Sequence, residues 1–364
     1  MHNIINDNSL VLGVMSGTSM DGLDISCAKY YQKGNKWAFD LICGETFLYS
    51  DNVKSDFIRV FNKELNLDEM DVKFGHVISD YIECFLQKNH LSVDLICSHG
   101  HTIFHEPKHN YTKQIGLGSV ISKRLNIPVV SNFREQDVNL GGQGAPLVPV
   151  GDNMLFSEYD SCLNLGGISN ISFNYNGDRL AFDISPCNMV LNYLSNKEGL
   201  EFDNKGFFAS QGNVNEDLLN NLNKIHYYKL SFPKSLSQED IKFDFLPLIN
   251  KYHISNTNLL ATFVEHIAIQ IVTVFKKFQI SNSLLTGGGS FNDYLISRIS
   301  FHSKTKLITP SIEIINFKES IIFGFLGVLR VLNKNNCLAS VTGASRDHSS
   351  GDIYYNVEKY LFSI

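Results

Sequence analysis

Apolar runs and helical stripes alternate along this chain, and the alternation occurs twice. In the first third, Val11 to Met15, Ile25 to Tyr31 and Trp37 to Tyr49 are β-prone runs. Turn formers such as Gly34 and Asn35 separate the last two, so the three predict a meander. From Phe74 to Lys88 the apolar residues Val77, Ile78, Tyr81, Ile82 and Phe85 share one stripe, which predicts a helix. It feeds a short buried strand at Leu95 to Ser98. A second β-rich start follows at Ser161 to Leu165, Ile168 to Tyr175 and Arg179 to Ile184. Leu259, Leu260, Phe263, Ile267, Ile271, Val274 and Phe275 then mark a long amphipathic helix, with Asn256 or Thr257 as its N-cap. Leu284 and Leu285 end a strand at Gly287-Gly288-Gly289, and Ile321 to Leu332 is a last apolar helix. Two halves that each run strand, polar turn, strand and then helix–strand units predict duplicated α/β lobes. Each sheet would mix an antiparallel meander with parallel strands.

Composition narrows the class. At 364 residues the chain is long for one core, and two lobes are the natural expectation. A net charge of -6 argues against a nucleic-acid partner and supplies no general attraction for anions. A phosphate-bearing ligand must therefore be held by local dipoles and a metal. Seven cysteines without a C-x-x-C pair fit a reducing compartment better than a disulfide framework. No apolar run reaches bilayer-spanning length, and Met1 to Ser9 has neither the basic nor the apolar region of a signal peptide. The expectation is a cytoplasmic protein with no membrane partner.

The densest chemistry lies between the first two strands, in V-L-G-V-M-S-G-T-S-M-D-G-L-D, Val11 to Asp24. Two glycines allow a ligand close to the backbone, and small hydroxyls and amides there cradle an anion. Asp21 and Asp24 are odd for a bare phosphate site and make sense with a divalent cation between carboxylate and phosphates. By itself such a turn is more often a plain hairpin, and the neighbouring motifs reverse that preference. Gly166-Gly167 repeats the strand–turn–strand logic. Thr286 to Asn292 puts three glycines between a strand and a helical stretch, where a base or ribose can lie on bare backbone. No G-x-x-x-x-G-K-[ST] is present, which excludes a P-loop protein. Asp183 sits at a strand end before Pro186, a place suited to a turn residue or to a catalytic base. His99, His101 and His105 in S-H-G-H-T-I-F-H could ligate zinc or hydrogen-bond a sugar.

The string M-S-G-T-S-M-D-G-L-D resembles the signature of the anhydro-N-acetylmuramic acid kinases, of the sugar kinase, heat-shock ATPase and actin superfamily. The likeness recurs in order at Ser98–Pro107, Phe133–Pro149, Leu163–Asn170, Phe182–Asn188, Thr286–Asn292 and Ser340–Ala344. It implies two ribonuclease H-like α/β lobes with ATP in the interlobe cleft. Lobe one would span 1–135, completed by 320–364, and lobe two 136–319, with a hinge near Arg134 to Gly144.

The resemblance further implies a division of labour. Gly17, Thr18, Ser19, Met20, Asp21, Gly22, Leu23 and Asp24 would form the first phosphate loop, with Asp21 and Asp24 towards Mg²⁺. Gly166 and Gly167 would form the second loop, and Gly287, Gly288, Gly289 and Asn292 the adenosine motif. Asp183 would be the catalytic base. His99, Arg134, Asp137, Asn188 and Glu319 would face the sugar, with Arg134 forking onto the lactyl carboxylate. The activity implied is ATP-dependent ring opening and 6-phosphorylation of 1,6-anhydro-N-acetylmuramic acid in peptidoglycan recycling, by a homodimer. The rivals are a kinase of another sugar, a non-catalytic ATP-binding protein of the same fold, and a zinc hydrolase built on the histidines. This chain departs from the family pattern at Asn132, Ile184, Ser185, Cys187 and Ser237. The segment Phe232 to Glu239 matches in part only, at Pro233, Lys234, Ser235 and Glu239.

Overall fold

The computed structural model describes residues 5–17 and 20–355, which form two compact units. Unit one comprises Met1–Leu155 and Phe317–Ile364, and unit two Phe156–Asn316. Unit one is discontinuous, and its first stretch runs to Leu155. The reason is local: Gly144 N donates to the carboxylate of Asp137, and Gln143 N to Thr342 O, so the Arg134–Gly144 stretch is tied into unit one.

In unit one the strands are β1 (Val11–Ser16), β2 (Gly22–Lys33), β3 (Lys36–Leu48), β4 (Leu95–Ser98), β5 (His101–Glu106), β6 (Tyr111–Ile115) and β7 (Val129–Ser131). The main sheet has the order β7-β4-β1-β2-β3, extended beyond β7 by a strand at Asp352–Tyr354. β1, β2 and β3 pair antiparallel, and β4 and β7 join parallel. β5 and β6 make a separate hairpin. One side of the core packs Leu12, Val14 and Ile96 with Phe57, Phe74, Ile78, Ile82 and Phe85. Three of the last four lie on the stripe predicted for the helix, which starts earlier, at Leu67, because Asn66 caps the Asp68 and Glu69 amides.

Unit two carries β8 (Ser161–Leu165), β9 (Ile168–Tyr175), β10 (Asp178–Pro186), β11 (Asn282–Thr286) and β12 (Lys306–Ile308) in the order β10-β9-β8-β11-β12. Again three strands run antiparallel and two join parallel. The two sheets thus share one strand order, which is the duplication expected of the α/β lobes. The helix Asn256–Phe278 fills the core of unit two with Phe263, Ile267 and Ile271. Its cap is Ser255, one residue before the predicted pair. It is long and apolar enough to cross a membrane by composition, yet 83% of that window is buried inside the protein. Its polar residues are paired: Glu265 binds Arg298 and His302, and His266 binds Tyr228 and Asn223.

Candidate active site

In unit one the turn after β1 rests on a polar floor. Tyr49 Oη donates to Ser16 Oγ at 2.6 Å, and Ser16 Oγ lies 2.9 Å from His101 Nδ1. Tyr49 has spent its proton, so Ser16 donates its own to the imidazole. His101 accepts it as a neutral ring, because burial lowers its pKa to about 4. The ring stacks on Phe57 at 4.0 Å. Above this floor Met20 N donates to Gly17 O, and Asp21 O accepts from Tyr49 N. Met20 has a left-handed φ of 58°. Thr18 and Ser19 lie outside the described residues. Gly22 and Leu23 already belong to β2. A Cβ on Gly22 would meet Phe47 O at 2.6 Å, so the strand pairing itself requires glycine there. Asp21 is exposed. Asp24 accepts from Thr46 Oγ1 at 2.5 Å, and burial, aided by the charge of Asp21, raises its pKa.

His99, Arg134 and Glu319 come together in the same unit. His99 Nδ1 donates to Gly100 O, which leaves Nε2 to accept from Arg134 Nε at 2.8 Å. Burial, reinforced by the Arg134 charge, holds His99 neutral. Arg134 also donates to Gly144 O at 2.6 Å. Burial lowers the Arg134 pKa to about 10, against the pull of Glu319. Glu319 is solvent-exposed, and the surrounding protein pushes its pKa up, opposed by Lys318 and Arg134. The helix carrying it begins at Ile312, so Glu319 lies well inside the helix and has no role in capping its first turn. Asp137 is fully buried and binds Gly144 N and Thr342 Oγ1. It shapes the glycine turn from beneath and forms no salt bridge with Arg134. His105 bonds Thr112. Among the described residues, His99, His101 and His105 do not converge as a three-ligand metal group.

In unit two, three separate motifs meet. Gly166 O accepts from Asn188 N, and Gly167 O from Cys187 N and Met189 N. The Gly-Gly turn thereby caps the start of the helix Asn188–Asn196 with main-chain carbonyls. Asn188 Nδ2 donates to Leu165 O at 2.9 Å. A Cβ on Gly289 would come within 2.8 Å of Leu165 O, and one on Gly288 within 3.7 Å of Asn188 Nδ2. Gly287 has a φ of 79° and packs against Asn164 and Leu165. Asn292 is spent as a cap, accepting from Leu295 N at 3.0 Å.

Asp183 lies inside β10, where the register against β9 shifts between Asp183 and Ser185. Such a bulge re-aims a side chain. A single segment from unit two encloses it. Asp183 N donates to Lys234 O, Asp183 O accepts from Tyr227 Oη at 2.6 Å, and its carboxylate accepts from Leu236 N at 2.9 Å. Burial raises its pKa to about 6, and the Leu236 amide holds it from rising further. Lys234 Nζ in turn donates to Tyr227 O and lies over the Tyr227 ring. Sequence reasoning left the Phe232–Glu239 segment without a role. The matching Pro233-Lys234-Ser235 was the available signal.

The family model described as "Anhydro-N-acetylmuramic acid kinase" matches residues 9–356. The curated anhydro-N-acetylmuramic acid kinase of Vibrio cholerae is 32% identical, over 96% of this chain and 99% of its own length. That of Aliivibrio fischeri is 31% identical over 94% and 98%. A solved chain, component A of the Acidaminococcus fermentans (R)-2-hydroxyglutaryl-CoA dehydratase, aligns over 87% of this chain and 96% of its own at 10% identity and a TM-score of 0.44. With a model match over nearly the whole chain and full-length relatives above 30% identity, the chain belongs to the anhydro-N-acetylmuramic acid kinase family.

Proposed function

We propose that Asp183 is the general base of an ATP-dependent ring opening and phosphorylation of 1,6-anhydro-N-acetylmuramic acid. The chain is a kinase of that amino sugar and serves peptidoglycan recycling. Water adds to the anomeric carbon, the bond from that carbon to the bridging oxygen breaks, and the freed 6-oxygen takes the γ-phosphoryl group. ADP and N-acetylmuramic acid 6-phosphate result. The water must lose a proton as its bond to carbon forms, and Asp183 accepts it.

The environment of Asp183 carries this reading. A carboxylate with a pKa of about 6 is ionised at neutral pH and still basic enough to take a proton. Its main chain and one oxygen are held by the Tyr227–Leu236 segment, so its orientation is preset.

The remaining roles follow the motif matches. The turn from Gly17 to Asp24 takes phosphates, as does the Gly166-Gly167 turn. Gly287 to Gly289 lie against the nucleoside, with Asn292 fixing the helix that follows. His99, Arg134, Asn188 and Glu319 serve the sugar, and Asp137 acts through the Gly144 turn. Asp21 and Asp24 fit Mg²⁺ chemically, because a hard cation relieves both the desolvation of Asp24 and the repulsion from Asp21. When bound there, the ion supplies charge neutralisation for the triphosphate. Family likeness supports a cytoplasmic homodimer, which sedimentation of the purified protein would test.

Asp183→Asn keeps the size and the bond from Leu236 N but cannot accept a proton. Its kcat in a coupled ADP assay with the anhydro sugar is expected to fall on the order of 10²–10⁴-fold, with ATP affinity little changed. In the wild type, activity should fall as pH drops through about 6, where Asp183 protonates. The stability sign is opposite: a folded pKa above the unfolded value means stability is greatest in acid and lost as pH rises through about 6. The variant should therefore be at least as stable as the wild type at pH 7. Near-normal turnover by folded Asp183→Asn would move the base to Glu319.

A further inference from the structure

Unit one holds a buried cluster that phosphoryl transfer does not use. Asp137, Cys337 and His348 are buried and offer three ligand atoms that all lie within 4.8 Å of one another. The geometry comes from a backbone pairing: Cys337 and His348 exchange both main-chain hydrogen bonds across an isolated antiparallel bridge. Directly opposed residues of such a pair send their side chains to the same face. Asp137 comes from the short helix Glu135–Asn139.

His348 is the telling member. Its Nδ1 lies 3.1 Å from Arg346 O, so Nδ1 carries the proton and donates it. That leaves Nε2 as a bare lone pair. Nε2 is buried without a hydrogen-bond partner, in a residue 5% exposed. The nearest charged atom is Asp137 Oδ1 at 3.6 Å, another lone-pair carrier beyond hydrogen-bond distance. No hydrogen bond fills the gap between these two atoms, and a cation seated there would meet a ligand atom on each side. Two ligands on one ion with bonds of roughly 2.0–2.3 Å stand at about this separation.

The surroundings match a metal centre in two further respects. Asp137 is oriented by Gly144 N and Thr342 Oγ1, and His348 by its bond to a carbonyl, as outer partners orient metal ligands. One carboxylate, one thiolate and one imidazole together carry two negative charges, which a dication balances.

We propose that Asp137, Cys337 and His348 bind one zinc ion, with a water as fourth ligand, which staples the C-terminal segment of unit one to the Glu135–Asn139 helix. Binding releases the thiol proton and breaks no covalent bond. The centre lies beneath the Arg134–Gly144 turn and takes no part in the chemistry.

Tag-free protein from zinc-supplemented cells is expected to carry about one zinc per chain by elemental analysis. Cys337→Ser and His348→Ala should each reduce that at least tenfold. Because a core variant can fail to fold, the wild type supplies an independent measurement. Chelator-treated wild type titrated with Co²⁺ should develop thiolate-to-cobalt charge-transfer absorption that saturates at one equivalent, and its Tm should rise on adding zinc. Zinc below a tenth per chain with no such absorption would overturn the assignment. So would a full equivalent of zinc retained by both variants, which would place the metal elsewhere.

Discussion

The turns after β1 and after β8 occupy the same place in sheets of the same strand order, yet they are built by different means. The first is held by side chains. Tyr49, Ser16 and His101 form a relay of hydrogen bonds under it, on the ring of Phe57. The second is held by main chain. The carbonyls of Gly166 and Gly167 take the amides of Cys187, Asn188 and Met189, and neighbouring glycines let Gly287 and Gly289 press against Leu165. A duplicated topology therefore constrains where a loop emerges and leaves open what supports it. The side-chain version is vulnerable to loss of a hydroxyl or a ring. The main-chain version tolerates most side-chain changes and is vulnerable where a Cβ is added at Gly287 or Gly289.

The largest expected effect breaks the comparison at its functional end. Gly17→Val puts a branched side chain where phosphates would approach the first turn. ATP affinity should weaken at least a thousandfold, about 4 kcal/mol, in a folded protein. Unchanged affinity by calorimetry would place the nucleotide elsewhere. Next is Gly287→Ala in the second unit. The residue has a left-handed φ and no room beside Asn164, so the variant should lose about 1–3 kcal/mol in chemical denaturation. A loss under about 0.5 kcal/mol would show that the main-chain arrangement yields more readily than its geometry implies. The smallest effect is Tyr49→Phe, which removes one buried donor to Ser16 and should cost about 1 kcal/mol. If instead it cost as much as Gly287→Ala, the side-chain floor would be the more brittle of the two designs.

The sequence showed most clearly what periodicity encodes. Leu95–Ser98 was legible to the residue because four consecutive buried positions leave little choice of structure. The meander and the long helix of unit two followed from their apolar patterns. Ends were less legible. The last long helix begins at Ile312 and not at Ile321, because Ile312 and Glu313 are exposed and the polar run Lys318-Glu319-Ser320 separates buried Ile315 and Phe317 from the apolar stretch that follows. The site was legible as motifs but not as contacts. Nothing local in Asp183 announces Tyr227 or Leu236, which lie over 40 residues away by chain. Nothing local in Asp137 announces its burial against Thr342, 205 residues distant. The cluster it forms with Cys337 and His348 has no spacing signature for the same reason.

The enclosure of Asp183 has a consequence for how this protein can change over time. Of the three bonds that hold it, two come from the main chain of Lys234 and Leu236 and only one from a side chain, the Tyr227 hydroxyl. A main-chain partner is supplied by any residue other than proline that lets the segment keep its path. The loop can therefore drift in sequence while the carboxylate it orients stays put. Its partial match to the family pattern, at Pro233, Lys234, Ser235 and Glu239 only, is what such freedom looks like in one chain. Here sequence identity understates structural identity, and a search scored on side chains alone would overlook the segment that encloses Asp183.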